Sequence, residues 1–527
     1  MRRSNLLSSI AQLFLAALAC LAPAIVAAQT PAQPSARDVA MVDAVTWGVN
    51  GSSIDSYMAL GPQRWLQAQL RPSGELNLPV AAQKQIDALR VTHESPFGMA
   101  TEIANRLSAA KEIADPDQRA AAQLAVQREM NDIARQAATR TILRALYAPD
   151  QLRERMTWFW FNHFNVHQNK ANVRVLVADY EDRAIRANAL GRFRDLLEAT
   201  LRHPAMLRYL DNADNAASRI NENYAREIME LHTMGVGSGY TQKDVEELAR
   251  ILTGVGVDPR PVDPKLRPDL QLQLVRDGLF EFNPARHDYG DKVFLGRVIK
   301  GRGLAEVEQA LDMLAAQPAT ARHVSRRIAI YFVADDPPTA LVERMADRFT
   351  KTQGDIASVL ETMFRSPEFA ASLGTRFKDP MRYVVSAVRL AYDGKVILNT
   401  GPIQNWLNRL GEGLYGHQTP DGYPLSSSAW NGPGQMMARF EIARQIGSGA
   451  AGLFKPPEAD AVATPAFPLL QNALYFSALG RMLRPPTATA LDLAMSAQEW
   501  NTLFLSSPEF MNLRPLAEGG SHAPSSP

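Results

Sequence analysis

Residues 221–254 read NENYAREIMELHTMGVGSGYTQKDVEELARILTG, the densest mixture of polar side chains and turn-forming glycines in the chain. Tyr224, Ile228 and Leu231 recur at three- and four-residue spacing, which predicts one amphipathic helix. Three glycines follow, and the Thr-x-x-Asp pattern that starts at residue 241 is a start signal for another helix. The stretch therefore predicts two short helices joined by a tight glycine turn.

The first of these helices carries candidate site residues. Asn223, Glu227 and Glu230 fall on one broad polar flank, because residues three and four apart share a helix face. His232 lies about 200° around the helix from Glu230 at 100° per residue, so it does not join that flank. We take Glu227, Glu230 and His232 as candidate catalytic residues and Asn223 as a candidate substrate-binding residue. The alternative is that the glutamates pair with arginines and that His232 fills a packed corner.

A second helix is predicted upstream, over residues 152–168. Its segment WFWFNHF, residues 158–164, is apolar around most of the helix, as in a fully buried central helix. His163 and His167 are four residues apart and would share one helix face, so they are candidate ligands of a divalent metal. The alternative is a pair of core histidines. The companion glutamate of a zinc-protease motif is missing, because Phe164 follows His163.

Downstream of the motif the pattern becomes extended. Residues 270–282 alternate as a hairpin, and residues 293–299 predict a second short ribbon. His287 and Asp288 lie between them, as a candidate metal ligand and a candidate acid or base on a loop. The alternative is an aspartate-driven turn that happens to carry a histidine.

A long loop interrupts the helices of the C-terminal half. Residues 414–431, LYGHQTPDGYPLSSSAWN, are too many and too rich in Gly, Pro and Ser for a bundle connection. His417, Asp421, Tyr423 and Trp430 could line a groove, and His417, Tyr423 and Trp430 are candidate substrate-binding residues with ring faces suited to sugars. The alternative is a loop that only covers the core.

The chain opens with an export signal. The arginines at residues 2 and 3 form a basic region, residues 13–26 are apolar, and the small residues up to Ala28 offer a cleavage site. The mature protein is therefore predicted to be periplasmic or secreted. The paired arginines leave twin-arginine export open beside ordinary secretory export.

Composition argues against several classes of protein. Cys20, the only cysteine, lies in the signal, so the mature chain has no disulfide and no cysteine-ligated metal. Removing two arginines leaves 54 basic residues (56 − 2) against 55 acidic ones, a balance of −1 that argues against nucleic-acid binding. No later apolar run reaches the roughly 18 residues of a membrane helix, so the mature chain is predicted to have no transmembrane anchor.

These patterns predict a mainly α fold, a multi-helical two-lobed bundle with one or two small β-hairpins. The predicted division is a signal peptide (1–28), a leader (29–37), an N-terminal helical lobe with the motif (38–260), a hairpin and His-Asp loop insert (261–302), a C-terminal helical lobe (303–515) and a disordered tail (516–527).

Four segments together resemble the bacterial family of proteins of unknown function DUF1800: residues 158–164, residues 221–254, HDYGDKVFLG at 287–296, and the loop at 417–424. They occur in order through nearly the whole mature chain. Val255 departs from the family, which usually has tryptophan there. The resemblance implies an exported, mainly α-helical protein, often encoded beside a second exported family that looks like alkaline-phosphatase or sulfatase relatives. It implies no catalytic residues.

Two functional hypotheses follow. In the first, the chain is a hydrolase-like enzyme acting on an envelope polymer or glycan, with a divalent metal held by His163, His167 and His287. In the second, it is a non-catalytic partner or scaffold for a co-encoded exported phosphatase- or sulfatase-like protein. The enzyme requires that the histidine-bearing segments and Glu227 meet in one concave site, whereas the scaffold allows them to scatter through packed interiors. A weaker third hypothesis is a carbohydrate-binding module that uses Tyr415 and the aromatic residues of the loop.

Overall fold

The computed structural model describes residues 33–73, 77–258, 264–456 and 466–512. The predicted signal peptide and tail lie outside these residues, as do residues 29–32 of the predicted leader. From Pro34 onward the described residues belong to one compact unit, and its division into two lobes stays a prediction. Ser35 starts the first helix with a capping box, because its side chain accepts from the Asp38 amide and Asp38 bonds back to it.

The fold is mainly α, as predicted. Up to the motif the α-helices are Ala36–Val45, Gly51–Leu60, Pro62–Leu70, Val80–Asp87, Arg90–His93, Pro96–Lys111, Pro116–Tyr147, Gln151–His163, Val177–Asp179, Phe193–Arg202, Pro204–Tyr209, Asn223–Glu227 and Gln242–Ile251. After the motif they are Pro268–Gln271, Leu304–Ala315, Pro318–Phe332, Thr339–Lys351, Ile356–Phe364, Pro367–Ser372, Pro380–Ala391, Gly401–Arg409, Pro433–Gly447, Ala473–Ser477, Pro485–Asp492, Ala497–Ser506 and Pro508–Asn512. Wider π-turns are Tyr180–Ile185 and Ile228–His232, and 3-10 turns are Val173–Val175, Arg186–Asn188, Asn212–Asp214, Pro284–Arg286, Ser427–Ala429 and Leu479–Met482.

Two small antiparallel sheets follow the motif, which confirms the predicted hairpins. The strands are β1 (Val255–Val257), β2 (Val275–Asp277), β3 (Phe280–Phe282), β4 (Lys292–Phe294) and β5 (Arg297–Ile299). The first sheet has the order β1-β3-β2, with Phe282 opposite both Val255 and Val275. The second pairs β4 with β5, with Lys292 opposite Ile299. The strand β1 directly after the motif was not predicted.

The helix Gln151–His163 is the buried central helix that its aromatic run predicts. All of its residues except Arg153 are buried. It ends five residues earlier than predicted, because Phe164 leaves the helical conformation. Asn165 instead donates to the main-chain oxygens of His417 and Thr419, so contacts with a distant loop replace the next helical turn.

The motif forms two short helices, as predicted, but the first one widens. After Asn223–Glu227 the chain continues as the π-turn Ile228–His232, and the amide of Met234 bonds to the oxygen of Met229 five residues back. This turn changes the angle between Glu230 and His232 from the value of a regular α-helix. Single π-turns of this kind occur frequently at functional sites.

Among the described residues, no helix combines the length and the apolar character needed to span a membrane.

Candidate active site

The long loop, residues 414–431, docks on the end of the central helix. Asn162 donates to the oxygen of Tyr423 at 2.9 Å and accepts from its amide at 2.6 Å. Asn165 donates to the oxygens of His417 (3.1 Å) and Thr419 (2.8 Å). The two asparagines thus fix the main chain on both sides of Asp421.

Tyr209 fixes the middle of this loop from another direction. Its hydroxyl donates to the main-chain oxygen of Gln418 at 2.7 Å. Burial raises the pKa of Tyr209, and the charges of Glu227 and Asp421 raise it further. The charges of both carboxylates therefore affect the same side chain, that of Tyr209. The motif, which carries Glu227, and the loop, which carries Asp421, thus lie near one another.

Glu227 is the candidate general acid of this site. It is half-buried, and its side chain makes no hydrogen bond or ion pair with any residue that the structure describes. Burial raises the pKa of Glu227, and the negative charges of Glu230 and Asp421 raise it further against the opposing effect of Arg226. Glu230 differs from it, because Arg226 lies 3.5 Å from its carboxylate.

The pKa of Asp421 is shifted in the opposite direction. Thr419 donates to its Oδ1 at 2.5 Å, and the Nε2 atom of His417 lies 3.4 Å from the same oxygen. Partial burial raises the pKa of Asp421, but the hydrogen bonds from Thr419 and His417 outweigh it and hold that pKa below its usual range. His417 therefore positions the carboxylate of Asp421.

Three imidazoles and one guanidinium form a cluster on whose arginine the charge of Asp421 acts. Its members are His163, His232, His323 and Arg327. The ring of His163 is 6.1 Å from the rings of both His232 and His323, measured between centroids. His163 Nε2 is 3.0 Å from the main-chain oxygen of His232, and His323 Nε2 is 3.1 Å from that of Leu231. Each of these nitrogens donates its hydrogen, so the bonds fix the tautomer of both rings.

Arg327 keeps these three histidines neutral. Burial lowers the pKa of His163 well below its usual range, that of His232 to about 3 and that of His323 to about 4, and the charge of Arg327 lowers each further. Burial also lowers the pKa of Arg327 to about 10, which still leaves it cationic at neutral pH. Asp421 is the carboxylate whose field acts on Arg327.

The metal site predicted at His163, His167 and His287 does not assemble. The helix ends at His163, so the prediction that His163 and His167 share a helix face is wrong. No group of three or more His, Cys, Asp or Glu side chains among the described residues could hold a metal ion. The charge of Arg327 beside His163 also disfavours a second cation there.

His287 and Asp288 belong to a separate, structural network. His287 Nε2 is 2.9 Å from Glu306 Oε1, and Lys292 Nζ is 2.5 Å from Glu306 Oε2, with all three side chains fully buried. Asp288 accepts from Arg250 at 2.7 Å. These contacts match the turn interpretation, in which both residues hold the hairpin region on the motif and on the helix Leu304–Ala315.

The candidate substrate-binding residues are placed unevenly. His417 and Tyr423 are half-buried, with ring centroids 4.6 Å apart, and lie in the loop on either side of Asp421. Trp430 is buried and donates to the oxygen of Pro424, so it presents no ring face for stacking a sugar. Asn223 is exposed, and its side chain donates to the oxygen of Leu210.

A small cavity beside Trp158 and Trp430 holds a second carboxylate pair, Asp379 and Glu412. Burial raises the pKa of Glu412 well above its usual range, and the charge of Asp379 raises it further. Both carboxylates accept amides at the start of the helix Pro380–Ala391. The free volume is about 10 Å³, which admits roughly one water molecule, so this pair has a structural role.

Sequence patterns did not reveal two members of the site. His323 and Arg327 lie four residues apart on the helix Pro318–Phe332, where they resemble ordinary residues of an amphipathic surface. The one available signal was Gly235, whose positive φ of 87° permits the close approach of His323. A Cβ atom at Gly235 would lie 2.8 Å from the Nδ1 atom of His323.

Comparison with known proteins adds one finding. The model of the family described as "Protein of unknown function (DUF1800)" matches residues 40–512. No curated protein and no solved structure matches the chain.

Proposed function

We propose a function from the site itself, because this chain belongs to the DUF1800 family of proteins of unknown function. The protein is an exported, hydrolase-like enzyme that cleaves an envelope polymer or glycan. Glu227 is its general acid, and Asp421 is the ionised carboxylate that activates water or stabilises the developing positive charge.

The isolation of Glu227 carries this proposal. Some buried carboxylates elsewhere in the chain have cationic partners, as Glu154 bonds to Arg186 and Glu306 bonds to Lys292. Glu181 and Glu412 have no cationic partner among the described residues, but both accept hydrogen bonds. Glu227 has no such partner among the described residues, and burial raises its pKa. Leaving a half-buried carboxyl group unpaired costs stability, whereas a raised pKa is what a general acid needs near neutral pH.

The second support is that the environment separates the pKa values of two carboxylates. The pKa of Glu227 is raised while that of Asp421 is lowered, so one is inclined to keep its proton and the other to lose it. A pair of carboxyl groups whose pKa values are shifted apart is the arrangement that glycosidases use for acid and base or nucleophile roles. The charges of both carboxylates raise the pKa of Tyr209.

The test uses the mature protein and two insoluble or polymeric substrates, purified peptidoglycan and the exopolysaccharide of the source cells. Released reducing ends are measured for the wild type, Glu227→Gln and Asp421→Asn. We expect losses of at least about 100-fold in both variants, in the range for removal of an acid or base. The matched control is Glu246→Gln, an exposed glutamate paired with Lys243 at 3.2 Å, which should keep full activity.

The partner or scaffold function is the competing proposal. It is favoured because the histidine-bearing segments do not all meet in one site, since His287 is buried against Glu306 in a separate network. Asn162 and Asn165 likewise serve to hold the loop. It predicts no release of reducing ends by the wild type, together with binding to the co-encoded phosphatase- or sulfatase-like protein that Glu227→Gln leaves unchanged. That pair of results would overturn the enzyme proposal.

A further inference from the structure

Arg327 lacks the acceptors that several buried arginines of the chain have. Arg382 donates to Asp43, and Arg389 donates to the oxygen of Gly48. Arg327 is half-buried, its Nε atom is buried without an acceptor, and no hydrogen bond or ion pair joins it to a described residue. An unsatisfied, partly desolvated cation is costly unless a ligand completes it.

The atoms around Arg327 are also left without partners. The Nδ1 atom of His163 and the Nε2 atom of His232 are buried and have no hydrogen-bond partner. Buried polar atoms in native proteins are normally satisfied, so three unsatisfied groups on neighbouring side chains need an explanation. Because His163 donates through Nε2, its Nδ1 is an acceptor and requires a donor such as water. Arg327 Nε and a protonated His232 Nε2 are donors, so one small ligand with acceptor oxygens beside them would satisfy both.

The charge of the cluster selects the kind of ligand. Three neutral imidazoles and one guanidinium carry a net positive charge in a poorly solvated place, and Asp421 acts on Arg327 only from a distance, without forming an ion pair. A metal cation would be repelled, whereas an anion would be attracted. The planar guanidinium matches the two oxygens of a carboxylate or a phosphate, and His232 can place a hydrogen on Nε2 and donate it.

We propose that Arg327, with His232, binds an oxyanion carried by the substrate, so that the polymer cleaved by this protein is an acidic one. This inference rests on the proposed function, because Asp421, the proposed ionised carboxylate of the enzyme, is the carboxylate whose charge acts on Arg327. The oxyanion is a carboxylate, as in a uronic acid, or a phosphate, and the cluster recognises the chemistry that they share.

The test measures binding of two small probes by isothermal titration calorimetry, inorganic phosphate and glucuronate, without any turnover. The wild type should bind at least one probe, and Arg327→Gln should weaken that binding by tenfold or more. The control is Arg326→Gln, a neighbour whose side chain is 53% exposed and lies 3.5 Å from Asp336. It should change the affinity by less than twofold.

A stability measurement separates a binding role from a structural one. Arg327→Gln removes an unpaired charge, so in probe-free buffer its melting temperature should equal or exceed that of the wild type. A structural arginine would give a lower melting temperature, and that result overturns the proposal. Failure of both probes to bind the wild type at 10 mM, on the order of the weakest specific affinities, overturns it as well.

The outcomes also separate this inference from the enzyme proposal. Glu227→Gln should bind the probe as the wild type does, since Glu227 is not part of the oxyanion site. Probe binding that depends on Arg327 in a protein without turnover supports the oxyanion site and counts against the enzyme. Turnover without probe binding supports the enzyme and counts against the oxyanion site. Binding of phosphate alone or of glucuronate alone supports the site and identifies the anionic group.

Discussion

Gly422 packs directly on Asn162. A Cβ atom on Gly422 would collide with the main-chain oxygen of Asn162 and lie 2.6 Å from its Oδ1 atom. The same side chain of Asn162 brackets the main chain of Tyr423 with two hydrogen bonds. Because Asp421 immediately precedes this contact, the position from which its charge acts on Arg327 and Glu227 depends on a glycine at residue 422.

Replacement of Gly422 by alanine should therefore loosen the loop that carries Asp421. The glycine has a φ of +74°, which costs a residue with a side chain about 1–2 kcal/mol, and the collision with Asn162 adds about 1–3 kcal/mol. We expect a total loss of about 2–5 kcal/mol, seen as a lower midpoint of urea unfolding and as faster proteolysis within residues 414–431.

Gly394→Ala is the control for this loss. Gly394 has a nearly identical φ of +76°, but nothing lies within 4 Å of the added Cβ atom. It should lose only the conformational cost of about 1–2 kcal/mol. Equal losses in the two variants would show that the contact with Asn162 contributes nothing.

Glu306→Gln tests the structural network that contains His287. Glu306 bonds to Lys292 and His287 and also accepts the amides of Arg302 and Gly303, so its carboxylate satisfies four donors. Removing its charge leaves Lys292 buried with the main-chain oxygen of Asp288. Breaking a buried pair from one side costs about 3–5 kcal/mol, which chemical unfolding should detect.

The double variant Lys292→Met/Glu306→Gln distinguishes an ion pair from a simple loss of hydrogen bonds. Removing the second charge abolishes the uncompensated lysine, so the double variant should recover part of the stability lost in Glu306→Gln. A double variant that is less stable than the single one would contradict this account of the network.

Sequence patterns predicted the features that depend on interactions between residues close together in the chain. The aromatic run of residues 158–164 predicted a buried helix, and the pattern at residue 241 predicted the capping box that Thr241 and Asp244 form. Both features depend on side chains within one helix or one turn. The two hairpins depend equally on neighbouring residues.

Contacts across long stretches of chain could not be predicted in this way. His163 meets His323 from a helix that begins more than 150 residues later, and no pattern in either helix signals the other. Arg327 has no hydrogen-bond or ion-pair partner among the described residues, and that is a property of the folded chain. The end of the central helix at His163 depends on contacts of Asn165 with a loop some 250 residues away.

The raised pKa of Glu227 predicts a pH-dependent difference between the wild type and Glu227→Gln. A group whose pKa is higher in the folded state stabilises that state below the unfolded pKa and loses this contribution as pH rises through the folded pKa. From about pH 4.5 upward, the ordinary pKa of glutamate, the wild type should therefore lose stability relative to the variant. The slope is at most about 1.4 kcal/mol per pH unit for one proton.

Urea unfolding between pH 4.5 and pH 8 measures this difference. Glu246→Gln, which removes a carboxylate whose side chain is 42% exposed, should keep a constant offset from the wild type over the same range. A wild type that gains stability relative to Glu227→Gln as pH rises would mean that Glu227 is paired in solution, and the assignment as general acid would then fail.

The three histidines of the cluster, His163, His232 and His323, predict a loss of folding stability as pH falls. This effect is opposite in sign to that of Glu227. Their pKa values in the folded state lie below the ordinary 6.5, at about 3 for His232 and about 4 for His323. The unfolded chain therefore takes up protons first, and stability falls as pH drops below about 6.5. Each neutral histidine costs about 1.4 kcal/mol per pH unit until its folded pKa is reached.

His323→Gln should remove one such contribution, because glutamine keeps a donor for the oxygen of Leu231 but does not titrate. Between pH 6 and pH 4.5, its unfolding free energy should fall less steeply than that of the wild type, by about 1.4 kcal/mol per pH unit. The exposed His93, changed to glutamine, serves as the control and should leave the slope unaltered.

The buffer must be free of phosphate, because an oxyanion bound at Arg327 would stabilise the protonated imidazoles and flatten the wild-type slope. Identical slopes for the wild type and His323→Gln would show that His323 is already solvated and that the cluster around Arg327 is open to water.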